Sequence, residues 1–173
     1  DIRNAGAVNS ACSGATLVFH TAAKAGFWGS REDYYAINTL GTANVIASCQ
    51  ANNVSRLIYT SSPSTAYMGT ENIENGTEEL PYPEKYLAFY PETKALAEKM
   101  VMNAASGRLG TVCLRPHLIW GSGDPHLLPR IVEKAAAKKL MLVGDSSNIV
   151  DLTHVVNAAH AHVKAAEALT DAK

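Results

Sequence analysis

The sequence predicts an α/β fold, a doubly wound parallel sheet with helices on both faces. Three observations carry that expectation. Short apolar runs rich in β-branched and aromatic residues alternate with helical segments in the order β-α-β-α-β. The runs are apolar throughout, as strands covered on both faces are, instead of alternating with polar residues. The chain has 173 residues, 47% hydrophobic and 18% charged, enough for one compact domain that needs no metal or disulfide scaffold.

The elements follow in order. Residues 5–12 are Ala-rich and helical in character. Thr16-Leu17-Val18-Phe19-His20 reads as a buried strand, with the small residues Thr21, Ala22 and Ala23 in the loop beyond its end. Residues 34–52 form a long helix with few charges, apolar on more than one face through Ile37, Leu40, Val45, Ile46 and Cys49, so it needs cover on two sides. Arg56-Leu57-Ile58-Tyr59-Thr60-Ser61-Ser62 is a second strand ending in hydroxyls, and the polar loop that follows to about Pro91 is expected to be functional. Over 93–105, Thr93, Ala97, Met100, Val101 and Ala104 recur at helical spacing; Gly107 and Gly110 end that helix before the strand Thr111-Val112-Cys113-Leu114-Arg115. After Pro116 the texture changes. A turn at Gly121-Ser122-Gly123-Asp124-Pro125 leads to a basic amphipathic helix over 127–139 and a short strand, Ile149-Val150-Asp151. A last helix over 154–169 turns Val155, Ala159, His162, Ala166 and Leu169 toward the core.

Composition excludes several classes. Fifteen Lys and Arg against 16 Asp and Glu supply no basic excess for phosphate, so no nucleic-acid partner is expected. No uncharged run approaches the roughly 18 apolar residues of a membrane span. The opening Asp1-Ile2-Arg3-Asn4 is unlike a signal peptide, and a cytoplasmic enzyme or binding domain is expected. Cys12, Cys49 and Cys113 are odd in number, far apart and set among small apolar residues, which suits buried thiols in a reducing compartment. His160 and His162, two apart on a helix, point to different faces, so no metal site is expected. His126 and His154 flank the region after Pro116 without a further indication of ligand contact.

The chemistry concentrates on one pair. Tyr90 and Lys94 stand four apart near the start of a predicted helix and share a face. A phenol of ordinary pKa near 10 is a poor base at neutral pH, and a neighbouring ammonium lowers that value by stabilising phenolate. Alone, the spacing equally describes a surface aromatic–cation pair. Ser61 and Ser62 end a parallel strand, where loops converge over ligands; a serine there can hydrogen-bond the substrate oxygen, or simply close a turn. Asn38 is an amide in a largely apolar helix, and its plain role is a tie to backbone.

Together these residues resemble a family. Val18-Phe19-His20-Thr21-Ala22-Ala23, Asn38-Thr39-Leu40-Gly41-Thr42-Ala43-Asn44-Val45, Tyr59-Thr60-Ser61-Ser62, Tyr90-Pro91-Glu92-Thr93-Lys94, Leu114-Arg115-Pro116 and Ile119-Trp120-Gly121 resemble, in order and spacing, the extended short-chain dehydrogenase/reductase family. The strand end at 59–62, the Asn-Gly-Thr-Glu-Glu insert at 75–79, Lys94-Ala95-Leu96-Ala97-Glu98-Lys99 and the Gly-Asp at 144–145 look closest to its 3β-hydroxysteroid dehydrogenase branch. The family's opening Gly-rich dinucleotide motif has no match here. By resemblance the chain begins near the family's third strand, without about the first third and some of the C-terminal substrate lobe.

The resemblance implies a partial Rossmann-like dinucleotide-binding domain over 1–116 and a portion of a substrate lobe over 117–173. It implies NAD or NADP as cofactor and a small-molecule substrate, with Tyr90 as general acid/base. Lys94 would lower the phenol's pKa and bind the nicotinamide ribose, and Ser62 would orient the substrate oxygen, with Ser61 competing for that role. Asp1 and Ile2 would border the adenine, Thr21, Ala22 and Ala23 would lie along the dinucleotide, and Pro116 and His117 would border the nicotinamide. The implied reaction is hydride transfer between a secondary alcohol and a ketone, with a 3β-hydroxysteroid or similar hydrophobic ring compound as substrate. Tyr67, Met68, Leu87, Phe89, Leu118, Ile119 and Trp120 would supply its apolar walls. Rivals are a nucleotide-sugar epimerase or dehydratase, for which only Arg130, Lys134, Lys138 and Lys139 offer added cations, a dihydroflavonol-type reductase, and a non-catalytic dinucleotide sensor. The family also implies a homodimer through the helices at 34–52 and 93–105.

Overall fold

A computed structural model describes residues 1–26, 28–69, 72–124, 127–141, 144–145, 147 and 149–171. Three strands form a parallel sheet in the order β1 (Leu17–His20), β2 (Arg56–Thr60), β3 (Gly110–Leu114). Leu17 pairs with Arg56 and His20 with Tyr59; Arg56 in turn pairs with Gly110 and Thr60 with Leu114, so all three carboxyl ends emerge together.

Alternation along the strands assigns the two faces. Leu57 and Tyr59, with Val18 and Cys113, meet the helices α1 (Ala5–Cys12), α3 (Gly41–Ala51) and α4 (Phe89–Asn103) in one core with Val8, Cys12, Val45, Cys49, Ala97 and Val101. Burial of each large aliphatic side chain there is worth about 2 kcal/mol. The opposite face carries α6 (Val155–Asp171): Arg56 donates to the Ala166 carbonyl at 3.1 Å, and Thr60 Oγ1 bonds His162 Nε2 at 2.6 Å. The parallel sheet and two-sided helical cover follow the expected fold class.

Local chemistry sets the helix ends. Asn4 caps α1 by accepting from the Ala7 amide at 3.0 Å. Ser30 caps α2 (Arg31–Tyr34) through the Asp33 amide at 3.1 Å, with Glu32 and Asp33 favourably placed in its first turn. From α2 the chain passes into a π-helical stretch, Tyr35–Leu40, and then α3, so the predicted helix over 34–52 starts earlier and holds a wider turn in its first half. Gly41 belongs at the junction because a Cβ there would lie 2.6 Å from Ile2 Cδ1. α4 also starts earlier than predicted, at Phe89; Pro91 falls in its first turn, where a missing amide hydrogen costs no helical bond.

The region after β3 differs most from expectation. β4 (Ile119–Trp120) pairs in parallel with β5 (Thr153–His154), whereas 149–151 form no strand; Ile149 is 95% exposed. The β-branched run had the propensity for a strand but no partner, while Thr153 donates its amide to the His117 carbonyl at 3.0 Å. The basic helix, α5 (Leu127–Ala136), ends short of 139, before Lys138 takes a left-handed φ of 54°. In α6 the buried residues are Ala158 and Ala166, while Val155 and Ala159 are exposed, which corrects two of the five residues in the predicted stripe. His126 lies outside the described residues.

Candidate active site

The carboxyl ends of the strands and the start of α4 bring the chemistry-bearing residues together. Ser61 follows β2 and is drawn inward: its amide donates to the Leu114 carbonyl at 2.6 Å and its residue is 4% exposed. Its Oγ makes no hydrogen bond of good geometry but lies near enough to the Glu98 carboxylate to favour the ionised acid. Ser62, next along an extended backbone, turns the other way. It caps the turn Pro63–Ala66, bonds Ser64 Oγ at 2.8 Å and lies near enough to the Tyr90 phenol to favour its ionised form.

Tyr90, half-buried, sits in the first turn of α4. Burial raises its pKa, and the nearby Ser62 hydroxyl offsets part of that rise. Lys94, one turn on, is 2% exposed; its Nζ donates to the Thr60 carbonyl at 2.6 Å and stands 4.1 Å from the Tyr59 ring centroid. Burial pulls this ammonium down to about 8, while the Glu98 charge acts in the opposite sense. Lys94 is not among the groups that set the Tyr90 value, so the phenol is a proton donor at neutral pH in this arrangement.

A cavity of about 180 Å³ opens on the tyrosine, lined by Gly26, Tyr34, Leu87, Ala88, Phe89 and Tyr90. Leu87 and Phe89 thus share this cavity with Tyr90. Tyr67, Met68, Leu118 and Ile119 are exposed, whereas Trp120 is half-buried and packs edge-on against His154 at 5.0 Å. Leu118 adopts φ 38°, an uncommon backbone for a leucine, beside His117 and under the amide of Thr153.

The residues expected along a dinucleotide lie at the same end of the sheet. Thr21, Ala22 and Ala23 are exposed beyond β1, and their small side chains leave the backbone open to close approach. Pro116 and His117 are half-buried just after β3. At the start of α3, the Asp1 carboxylate is paired with Arg3, and Ile2 is docked on Gly41 with its carbonyl accepting from Asn44. Asn38, 1% exposed, ties three groups: it accepts from the Lys24 amide at 2.7 Å and donates to the Lys24 carbonyl and Thr93 Oγ1, both at 3.1 Å. It thereby fixes the loop after β1 against α4. Among the described residues no cluster of His, Cys, Asp and Glu has the form of a metal site, and no helix is long and apolar enough to cross a membrane.

Sequence reading missed two buried groups. His20 bonds Thr42 Oγ1 at 2.8 Å, and burial, then the Lys94 charge, lowers its pKa to about 4. Glu98 accepts from Arg115 and from the Tyr82 hydroxyl. The available signal for Glu98 was its place on the column Tyr90, Lys94, Glu98, a charge on the face that also carries Ala97 and Val101 into the core.

Comparisons with known proteins identify the family and the fold. The sequence matches the 3-beta hydroxysteroid dehydrogenase/isomerase family over residues 1–173. It is 49% identical over 170 residues to a 2-alkyl-3-oxoalkanoate reductase of Stenotrophomonas maltophilia, covering 98% of this chain and 52% of that protein. It is 41% identical over 163 residues to the sterol-4-alpha-carboxylate 3-dehydrogenase, decarboxylating, of Bos taurus, covering 92% of this chain and 46% of that one. The chain thus spans about half the length of these relatives. Among solved structures, UDP-glucose 4-epimerase from Brucella ovis in complex with NAD superposes with a TM-score of 0.82 at 27% identity, over 99% of this chain and 59% of the other. The fold is therefore Rossmann-like, and the chain belongs to the 3-beta hydroxysteroid dehydrogenase/isomerase family.

Proposed function

We propose that the protein carrying this sequence is an NAD(P)-dependent oxidoreductase that interconverts a secondary alcohol and a ketone on a 3β-hydroxysteroid or similarly hydrophobic substrate. The observation that carries the reading is the Tyr90 phenol, close to the Ser62 hydroxyl and lining a cavity together with Leu87 and Phe89. In this reading residues 1–116 are the dinucleotide-binding part and 117–173 a portion of the substrate lobe.

A bound nicotinamide dinucleotide would supply or accept the hydride at the carbinol carbon. In ketone reduction, Ser62 and Tyr90 both donate to the carbonyl oxygen, and the Tyr90 proton passes to it as the alcohol forms. Burial keeps the phenol protonated before the transfer. One Lys94 proton is engaged by the Thr60 carbonyl, which leaves two donors for the phenolate side and a ribose hydroxyl. The exposed backbone of Thr21, Ala22 and Ala23, with Pro116 and His117 across the strand ends, would hold the dinucleotide.

Leu87 and Phe89 bring apolar area to the cavity, and an unpaired diphosphate against such walls would be costly. The cations that a nucleotide sugar would need, Arg130, Lys134, Lys138 and Lys139, stand exposed on or just after α5. The names of the relatives add a refinement: each places the reacting oxygen on the carbon next to one that bears a carboxylate. The test is kcat/KM with NAD or NADP for a 3β-hydroxysteroid and a 2-alkyl-3-oxo acid against UDP-galactose, in wild type and Tyr90→Phe. Turnover of the first two, abolished in Tyr90→Phe with cofactor affinity held within a few-fold, is expected. Preference for the sugar nucleotide would overturn the assignment. A homodimer through the helices at 34–52 and 93–105 completes the proposal; its support is the apolar groove between α3 and α4.

A further inference from the structure

Glu98 takes no part in the proton route just described, yet it is 2% exposed and ionised, its carboxyl held below the usual range by Arg115, Ser61 and Tyr82. Burying a carboxylate costs several kcal/mol unless its oxygens are fully partnered. Arg115, from the end of β3, donates Nε to both oxygens at 3.1 and 3.2 Å and Nη2 to Oε1 at 2.5 Å. The Tyr82 hydroxyl donates at 2.6 Å from the segment before α4. The Ser61 hydroxyl approaches from the end of β2. Lys94 faces the same carboxylate one turn back along α4. Around this centre, Lys99 stands 4.4 Å from the Tyr82 ring, and Tyr59, Tyr86 and Cys113 each feel the Glu98 charge.

Two of its neighbours lead to the site. Tyr82 and Tyr86, the latter bonded to the Thr65 carbonyl at 2.7 Å, anchor the segment that delivers Leu87 and Phe89 to the cavity. Lys94 is the cation of the reacting set. We propose that Glu98 is a positioning residue for the Tyr90 site: its carboxylate stands as counter-charge to Lys94 and through Tyr82 docks the segment that walls the cavity. This role rests on reading Ser62, Tyr90 and Lys94 as the reacting set.

The test compares wild type with Glu98→Gln and, because that change leaves Arg115 unpaired, with Glu98→Gln/Arg115→Met, which removes both charges. Lys94 titration is followed by NMR of its Nζ, and kcat and KM are measured with a 3β-hydroxysteroid. The expected result is that both variants titrate Lys94 at lower pH than wild type. Their kcat falls at least roughly tenfold while KM for cofactor changes by less than about threefold; Glu98→Asp recovers part of both. A Lys94 titration that coincides with wild type in a folded variant, or an unchanged kcat, would overturn the proposal. Lack of turnover in wild type with the titration shift intact would instead overturn the functional reading and leave the hold of Glu98 on Lys94 standing.

Discussion

At the scale of single residues, Lys94 is where function works against stability. Its ammonium is lowered from 10.5 to about 8 by burial, so the unfolded chain binds that proton more tightly than the folded one. Its contribution is complete above pH 10.5 and declines as the pH falls to about 8; at neutrality it costs the fold on the order of 3 kcal/mol. A buried residue of the same length without charge would remove that cost and forfeit the bond to the Thr60 carbonyl, worth about 1–2 kcal/mol. We therefore predict that Lys94→Met raises stability by about 1–2 kcal/mol while abolishing turnover and weakening cofactor binding. Thermal unfolding of the variant below that of wild type would show that the ammonium supports the fold. Cofactor affinity equal to wild type would leave Lys94 with an electrostatic role alone.

At the scale of elements, His20 couples β1 to α3. Thr42 gives its hydroxyl proton to the Asn38 carbonyl at 2.7 Å, so His20 Nε2 is the donor to Thr42 Oγ1 and the imidazole is neutral. Because the folded pKa of about 4 lies below the ordinary 6.5, the stability that neutral His20 contributes is present above pH 6.5 and lost as the pH falls to about 4. We predict that urea midpoints of the wild type drop over that window and that His20→Gln, which keeps a donor for Thr42, flattens the drop. Equal acid slopes in the two proteins would remove His20 from the coupling. This contact illustrates what was legible. The strand ending at His20 was plain from its apolar run, and Tyr90 and Lys94 from their spacing, because both depend on neighbours in sequence. The partners of His20 and Glu98 come from residues 22 and 17 positions away, and no local pattern announces them. The π-helical stretch was likewise invisible, since Asn38 and Thr39 are drawn into it by bonds to Lys24 and Thr93. The strand at 149–151 failed for the same reason in reverse: local propensity was present and a tertiary partner was not.

At the scale of the molecule, the sheet presents its site at one end and its greasiest helices at the side. Between α3 and α4 runs a groove of about 350 Å³ lined by Ala43, Ile46, Ala47, Gln50, Met100, Asn103 and Ala104. Its alanines permit close approach of another helix pair, and Leu96 and Met102 on α4, with Leu40 just before α3, add exposed apolar area. A twofold partner would place α3 and α4 against their own copies, so that each groove is covered by the same surface that it covers. A stable contact of this kind buries about 800 Å² on each partner, which two helices of 11 and 15 residues laid side by side can reach. The association also bears on chemistry, because α4 carries Tyr90, Lys94 and Glu98 on the face turned away from the groove. We predict that light scattering on the protein carrying this sequence reports a dimer at micromolar concentration. Ala47→Glu, which sets two like charges together across the axis, should give a monomer with unchanged helical content and a lower melting temperature. A wild-type monomer under those conditions, or a dimer indifferent to Ala47→Glu, would place the interface elsewhere or nowhere, and the exposed helices would then need another cover.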